Sequence, residues 1–480
     1  MEITQKKIEE LAPNAAAAKN GRDLVSKGKL SNLHISPEGD LIWGECAGSG
    51  KNPYYCSADY MDEHHPIFRC NCPSRQFPCK HTLGLLYAYE KNSSGFTQAA
   101  IPDDISQKRE KIEKRQEKKE QEKESIKEKA AKPRQVNKAA FIKKADTQLA
   151  GIGLAVRILE EIVQAGLSSL DVKMIKTLQG QVKELGNYYI NGIQTSFNDL
   201  FLELNEVEGE EYTHVIDRIN YLSALLKKAT DYLNKRKEDP DAVPELDSAI
   251  EEQIGYARKL TELMQYGLYE ENAELLQLSF NSFDDSARKE YVDEGIWFNL
   301  KSERIYKTKN YRPYRAAKYI KEDNSEFEVL QLKELFIYPG DRNPRVRWEM
   351  DGATPRAIAP SDLQKIRNAA ASDYTEVIKS VKQTIKNPLM DKLPVVLIKV
   401  NKAYLMGENL VVEDAQGNPL TLRDLSEQKV ASAVNLQAFL PAYPEQVALA
   451  VMIHNNVQTG LLSAQPMCLV TLEKIIRLLY

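Results

Sequence analysis

Three cysteines and one histidine between residues 70 and 81 constrain the fold of this chain more than any other feature. The segment FRCNCPSRQFPCKH spaces them as Cys70-x-Cys72, six residues, then Cys79-x-His81. Three thiols and one imidazole form a ligand set that a structural zinc ion prefers. Four protein ligands leave no open coordination position for water, so the cluster predicts a zinc ion that stabilises a fold and does not catalyse hydrolysis.

The local pattern around the cluster explains how four ligands reach one ion. The stretches LSNLHIS, DLIWGEC, PYYCSADY and PIFRC predict short strands, and CKHTLGLLYAYEK predicts a helix. In an extended chain residues i and i+2 face the same side, so Cys70 and Cys72 can face one ion. Cys79 lies at the start of the helix, where the helix dipole favours a thiolate. Strand alternation makes Cys46 and Cys56 core residues rather than alternative ligands.

Composition divides the chain into four predicted parts, and the fold class is α+β. Residues 1–95 form a small N-terminal ββα-type finger domain with N-terminal helices, and residues 96–145 form a charged helical linker. Between Lys108 and Arg134 the linker carries 12 Lys and Arg against 7 Glu, too polar a mixture for a core. Residues 146–275 predict a bundle of amphipathic helices, the fourth across Ala249–Leu260. Residues 276–480 mix predicted strands and helices in a C-terminal α+β domain.

The composition of the whole chain narrows its location and its partners. Sixty-five Lys and Arg against 69 Asp and Glu give a net charge of −4 over 480 residues, so any basic surface is local. No stretch approaches the roughly 18 consecutive apolar residues of a membrane-spanning helix, and no membrane partner is expected. The beginning of the sequence lacks the apolar segment of a secretory signal, and six sparse cysteines do not suggest a disulfide scaffold. These features predict a cytoplasmic protein.

Basic and aromatic residues alternate around the predicted finger. Arg69, Arg75, Lys80 and Lys91 are interleaved with Phe68, Phe77, Tyr87 and Tyr89. This mixture favours contact with phosphates and bases, or with a protein partner. The alternative is that the aromatic rings pack the small core and the charges are merely solvated. A second basic and aromatic cluster indicates binding of a nucleic acid or a nucleotide-like ligand, or otherwise a solvated surface of strand and turn; its basic residues are Lys307, Lys309, Arg312, Arg315 and Lys318.

The pattern Cys-x-Cys-x6-Cys-x-His resembles the SWIM zinc finger, which has a strand–strand–helix arrangement. The preceding segment GECAGSGKNPYYCSADY is similar to the glycine-rich turn and proline-aromatic strand of that family. More broadly, the chain resembles bacterial SWIM zinc finger family proteins. That broader likeness lies in GLAVRILEEIVQAGLSSL and in the later segment from DKLPVVLIKV to ENLVVEDAQGNPLTL.

The resemblance implies a binding protein without catalytic residues. SWIM domains are regarded as modules for DNA binding or protein interaction. The large bacterial members are commonly associated with MoxR-type AAA+ ATPases and von Willebrand factor A-domain proteins. The expectation is therefore a zinc-binding, non-enzymatic adaptor. The alternative is an enzyme whose active site lies in residues 276–480 and whose finger recruits substrate. A deep pocket there, lined by carboxylates, His454 or arginines, would favour the alternative.

Overall fold

The computed structural model describes most of the chain in two compact units. The units are Met1–Lys123 and Glu124–Tyr480, and each is described below by itself. The predicted four-part division into domains therefore remains a prediction. The described residues are 3–48, 52–62, 66–74, 78–114, 137–207, 209, 211–317, 319–320, 325–349, 352–425, 430–439, 447–456 and 460–478.

The N-terminal unit is a five-stranded sheet with helices on it. The strand order is β4-β3-β2-β1-β5, in which β5 runs parallel to β1 and the other neighbours are antiparallel. The predicted strands and helix are confirmed. The helices are α1 (Gln5–Leu11), α2 (Ala15–Ser26), α3 (Lys80–Lys91) and α4 (103–114 as described), and the strands are β1 (Leu30–Ile35), β2 (Leu41–Cys46), β3 (Tyr54–Asp59), β4 (Ile67–Cys70) and β5 (Thr97–Gln98).

Strand alternation gives this sheet two apolar faces. Ile42 and Cys46 of β2 face one side, where they join the core formed with α3. Leu41 and Trp43 face the other side, where Ile105 of α4 packs against them. The segment after residue 96, predicted as a solvated linker, therefore begins as part of this unit. Residues 115–136 of the predicted linker lie outside the described residues.

Helices α2 and α3 approach closely because both carry glycine at the crossing. A Cβ atom added at Gly21 would lie 2.9 Å from the Cβ of Leu83, and one added at Gly84 would lie 3.3 Å from the carbonyl oxygen of Gly21. Leu83, Leu85 and Leu86 are fully buried beneath this contact. Burial of each such leucine stabilises the fold by about 2 kcal/mol. This packing holds α3 against α2 and the sheet.

The second unit begins with a helical bundle. Its four long helices enclose a core that includes Ile158, Phe197 and Leu222. The predicted fourth helix, Ala249–Leu260, is wrong in its extent, because the helix ends at Ile254. The next residue, Gly255, has φ +123° and lies against Gly192. A Cβ atom added at Gly192 would lie 2.2 Å from the backbone of Gln253, so the two segments need glycine to approach this closely. The sequence interpretation also missed α7. The helices are α5 (Lys138–Ala165), α6 (Val172–Glu184), α7 (Asn191–Asn205), α8 (Thr213–Glu238), α9 (Ile250–Ile254) and α10 (Leu260–Gln265).

Two sheets and three helices follow the bundle. The first sheet has the order β10-β9-β6-β7-β8, with β11 also paired to β9, and all its neighbours are antiparallel. The second has the order β12-β16-β17-β15-β14-β13, with β18 also paired to β17 and β15 parallel to β17. One apolar core joins the two sheets through residues such as Leu276, Ile296 and Ala450. The α+β class is confirmed.

The bounds of these elements are as follows. The strands are β6 (Tyr269–Asp285), β7 (Glu290–Asn299), β8 (Ile305–Pro313), β9 (Val329–Ile337), β10 (Val346–Arg347), β11 (Ala353–Arg356), β12 (Val395–Val400), β13 (Lys402–Met406), β14 (Asn409–Glu413), β15 (Pro419–Leu422), β16 (Val447–Asn456), β17 (Leu461–Val470) and β18 (Ile475–Arg477), and the helices are α11 (Pro360–Ala369), α12 (Tyr374–Ile385) and α13 (Ser432–Phe439). Within the described ranges, no helix is long and apolar enough to cross a bilayer.

Candidate metal centre

The four predicted ligands meet at one point in the N-terminal unit. Cys70 ends β4, Cys72 follows it, Cys79 is the residue before α3, and His81 lies in the first turn of that helix. All four ligand atoms lie within 4.8 Å of one another. The Sγ atoms of Cys70 and Cys79 each lie 3.8 Å from Nδ1 of His81. Tetrahedral zinc, with bonds of about 2.0–2.3 Å, separates its ligand atoms by about 3.5–3.8 Å.

The β3–β4 hairpin sets the position of the first cysteine pair. Cys70 lies opposite Cys56 in the antiparallel register. Beyond it, Asn71 continues the pairing, because its Oδ1 accepts a hydrogen bond from the backbone N–H of Tyr55 at 2.9 Å. That bond holds the chain extended between Cys70 and Cys72, as the alternation argument requires.

The beginning of α3 sets the second pair. Cys79 is extended, with φ −79° and ψ 167°, and its side chain makes no capping hydrogen bond. The Thr82 hydroxyl donates to the Cys79 carbonyl at 2.9 Å and lies 3.6 Å from the Cys79 sulfur. His81 is buried, and the Tyr54 ring lies 4.6 Å from its ring, which restricts the imidazole to an orientation facing the sulfurs. Helix start and aromatic contact therefore orient both ligands.

The electrostatics of the cluster suit a cation. A hydrogen bond from the Cys70 thiol lowers the pKa of Cys79 to about 3, and His81 and Thr82 act in the same direction. Sharing that proton raises the pKa of Cys70 far above its usual range. Buried sulfurs this close cannot all be thiolates unless a positive charge lies between them. A zinc ion supplies that charge, and with Cys72, Cys79 and His81 buried, the residues fit a structural zinc ion.

Behind the finger lies a buried cluster of charges that includes one of the predicted binding residues. Asp59 is 1% exposed and accepts hydrogen bonds from Arg69 at 2.8 Å and from Arg109 at 2.7 Å. Arg109 also pairs with Asp40 at 2.9 Å. Arg69 is thus part of an internal network that joins β3, β4 and α4, which is a structural role that the spacing of the sequence did not reveal.

The remaining predicted contact residues have different environments. Lys80 and Lys91 are exposed at the two ends of α3, and Arg75 lies outside the described residues. Tyr87 and Phe68 pack in the core of the unit. The described aromatic rings therefore follow the alternative interpretation, in which they pack the core.

Two residues of the second basic cluster are internal as well, whereas Lys309 is half-buried and paired with Glu294 and Arg315 is exposed. Lys307 is buried and pairs with Asp391 at 2.5 Å, and Arg312 is buried and pairs with Asp293 at 2.7 Å. Lys318 lies outside the described residues. Ion pairs satisfy these two charges within the fold, so neither is available to a nucleic acid.

Sequence reasoning missed three residues that support the site. Tyr54, Thr82 and Arg109 each act through a contact that crosses elements or a turn. Only Thr82 had a local signal, since a hydroxyl in the first turn of a helix commonly hydrogen-bonds nearby backbone.

The β3–β4 strand pair, the turn after it and helix α3 carry the Cys₃His cluster. Together they define a small zinc-binding finger. The SWIM zinc finger family model matches residues 69–90, which contain all four ligands. This segment is a SWIM zinc finger, and its metal is a structural zinc ion.

Other comparisons add little. A solved structure of a murine DNA-binding protein bound with double-stranded DNA is similar at 9% sequence identity and a TM-score of 0.18. The match covers 43% of this chain and 96% of that chain. A likeness of this size carries no argument about fold or function. No curated protein matches the chain.

Proposed function

We propose that this chain is a non-enzymatic adaptor whose zinc finger binds a protein partner. The observation that carries the proposal is the charge of the finger. Residues 1–114 contain 15 Lys and Arg and 15 Asp and Glu, so this region has no net charge. Zinc held by three thiolates and a neutral histidine adds about one negative charge. Proteins that bind nucleic acid without base specificity depend on several cations facing phosphates, and this region has no excess of cations over carboxylates to supply them.

The fate of the predicted basic residues supports a protein partner. Four basic residues were predicted to contact a partner, and the structure describes three of them. Arg69 is paired with Asp59, and Lys80 and Lys91 are exposed. Two lysines at opposite ends of a 12-residue helix are about 16 Å apart, which is too sparse a row to follow a phosphate backbone closely. Exposed Lys80 and Lys91 are suited to contact acidic side chains of a partner.

The partner we propose is a MoxR-type AAA+ ATPase or a von Willebrand factor A-domain protein in a bacterial cytoplasm, as the SWIM resemblance implies. In this arrangement zinc holds the finger folded, the charged segment gives it reach, and the second unit provides further docking surface. A finger of this size buries too little apolar surface to fold well without the ion.

The test measures binding of the zinc-loaded full chain to purified candidates from the same organism. Biolayer interferometry against the ATPase and the A-domain protein is expected to show micromolar or tighter binding, weakened at least about fivefold in Lys80→Glu/Lys91→Glu. Lys19→Glu/Lys27→Glu makes the same charge change at two exposed lysines, on α2 and directly after it, and is the matched control. In parallel, random-sequence duplex DNA is titrated at low and high salt. Salt-sensitive DNA binding that Lys80→Glu/Lys91→Glu abolishes, without binding to either protein, would overturn the proposal.

A second candidate function, an enzyme, is favoured by a cleft in the second unit. Its volume is about 830 Å³, and His454, Asp391 and Arg423 are among the residues that line it. Burial opposes ionisation of Asp391, yet its pair with Lys307 lowers its pKa to about 2. A carboxylate with so low a pKa is a poor general acid or base at neutral pH, and the two histidines that line the cleft, His214 and His454, are better candidates; we take His454 as the candidate base.

The enzyme candidate is tested with generic ester and phosphate substrates of nitrophenol. If the cleft is catalytic, the wild-type chain hydrolyses at least one of them and His454→Ala reduces the rate at least about a hundredfold. Lys399→Ala, an exposed change on β12, is the control. Hydrolysis that persists in His454→Ala would exclude His454 as the catalytic base.

A further inference from the structure

A second cavity of the C-terminal region has the composition of a small-ligand site. It has a volume of about 480 Å³ and lies where α11 begins, beside β18. This volume is within the range of cavities that hold small molecules, which are mostly apolar with a few polar groups. Its apolar lining consists of Phe327, Ile358, Ala359, Pro360, Leu363 and Ile475.

The polar group of this cavity is Arg477. One of its Nη atoms donates hydrogen bonds to the carbonyl oxygens of Gln277, at 2.9 Å, and Glu326. The other Nη atom is buried and has no hydrogen-bond partner. The Phe327 ring lies 4.5 Å from the guanidinium carbon and is 68% exposed. The guanidinium is therefore held in place by carbonyl groups and an aromatic ring.

The charge of Arg477 lacks a counter-ion within the described part of the chain. No carboxylate oxygen there lies within ion-pair distance of it; burial lowers its pKa, although Cys468 and Glu326 act electrostatically in the opposite direction. Asp362, near the start of α11, is already paired with Arg356 and accepts the backbone N–H of Ala359. Glu473 and Lys474 lie at the exposed rim and contribute one charge of each sign. Arg477 is half-buried, so its charge is partly desolvated, and a bound anion would offset the cost of that desolvation.

We propose that this cavity binds a small organic acid, with its carboxylate against Arg477 and its apolar body between Leu363, Ile475 and Phe327. Charge complementarity selects the carboxylate, because a charge-assisted hydrogen bond to a guanidinium is roughly twice as strong as a neutral one. The apolar walls select the body, because Leu363 and its neighbours offer it no polar partner. Phe327 gains burial when such a ligand covers it.

The experiment is isothermal titration calorimetry of the full chain with 4-phenylbutyrate and with the neutral 4-phenylbutyramide. The acid is expected to bind at least about tenfold more tightly than the amide. Ala359→Trp fills the cavity and leaves Arg477 in place, so it should abolish binding. Ala357→Trp makes the same change two residues away, on an exposed residue outside the lining, and should have no effect. Arg477→Gln should remove the preference for the acid.

Three outcomes would overturn the proposal. Equal binding of acid and amide would show that Arg477 does not select the charge. Unchanged acid binding in Ala359→Trp would place the ligand elsewhere on the chain. A response to a peptide that ends in a leucine carboxylate, without any response to 4-phenylbutyrate, would assign the cavity to a polypeptide terminus instead of a small acid.

Discussion

Replacement of Arg109 by methionine is expected to destabilise the N-terminal unit. Arg109 donates to Asp59 at 2.7 and 3.3 Å and to Asp40 at 2.9 Å, and its side chain is 12% exposed. Methionine keeps most of the apolar stem and removes the charge. Asp59, which is 1% exposed, would then retain only Arg69 as a cationic partner. The variant therefore isolates the contribution of the ion pair from that of packing.

The expected loss is about 2–3 kcal/mol. Removing one partner of a fully buried ion pair costs about 3–5 kcal/mol, because the remaining charge is left unpaired. Here the cost is smaller, because Arg69 still neutralises Asp59 and solvent reaches Asp40, whose side chain is 30% exposed. For a unit of this size a loss of 1 kcal/mol lowers Tm by about 3–5 °C, so Tm should fall by roughly 6–15 °C.

The assay is differential scanning calorimetry of the zinc-loaded full chain, following the transition that zinc chelation shifts. Asp59→Asn and the double variant complete a double-mutant cycle, and the coupling energy should be at least about 1 kcal/mol. Lys108→Met is the matched control, because Lys108 makes only an exposed pair with Asp104 and should change stability by less than about 0.5 kcal/mol. An Arg109→Met transition within about 0.5 kcal/mol of wild type would refute the docking of α4.

Three further predictions concern zinc and pH. Cys72→Ser should lower bound zinc from one ion per chain to nearly none and unfold the finger while the bundle remains helical, as measured by elemental analysis and circular dichroism. Burial raises the pKa of Asp199 to about 6 despite Arg218, so ionisation of Asp199 costs stability above that pH. In urea unfolding, Asp199→Asn should therefore raise the free energy of unfolding by about 1 kcal/mol at pH 7.5 and leave it unchanged at pH 3.5. Burial of Asp391 opposes its ionisation, but Lys307 lowers the pKa of Asp391 to about 2. The ionised carboxylate therefore contributes about 1–2 kcal/mol of stability above pH 4, which should be lost as the pH falls towards 2. The loss should be smaller in Lys307→Met.

Each of these predictions has a matched control in the same chain. Cys468→Ser changes a buried cysteine of the second unit that is not one of the ligands and should leave the zinc content unchanged. Asp217→Asn changes an exposed aspartate of α8 and should not reproduce the gain at pH 7.5. Lys379→Met, at a surface pair, should keep the wild-type acid dependence. Each prediction has one contradicting result. For zinc it is an ion retained in Cys72→Ser, and for Asp199 it is a gain of stability in Asp199→Asn that persists at pH 3.5. For Asp391 it is a loss of stability at acid pH that is as large in Lys307→Met as in the wild type.

The zinc ligands could be predicted from the sequence because the information is local. Cys70 and Cys72 share a strand face through the two-residue period of an extended chain, and Cys79 and His81 share the first turn of one helix. The same locality made the strands around Cys46 and Cys56 predictable, since alternation alone places both in the core. No knowledge of the rest of the fold was needed for either inference.

The environment of the charges could not be predicted in the same way. Arg109 belongs to a run of Lys and Glu whose composition indicates a solvated segment, and only the pairing of β2, β3 and α4 shows that it reaches Asp59. The extent of the bundle failed for a related reason. Ala249–Leu260 has a helical period, yet Gly255 adopts φ +123° because the backbone must pass close to Gly192. That requirement comes from tertiary packing, which periodicity does not contain.

The internal use of basic residues also limits how the finger can recognise a partner. A field that steers nucleic acid needs several unpaired cations on one face, and such a field acts over about 10 Å in physiological salt. In the N-terminal unit, Arg69 and Arg109 are paired with Asp59 and Asp40, and the charges that remain are of both signs. If the finger binds a protein partner as proposed, recognition by the described surface depends on short-range shape and individual contacts. The zinc ligands Cys79 and His81 join the beginning of α3 to the β3–β4 hairpin, so the ion would hold Lys80 beside that hairpin, while the helix itself sets the distance from Lys80 to Lys91.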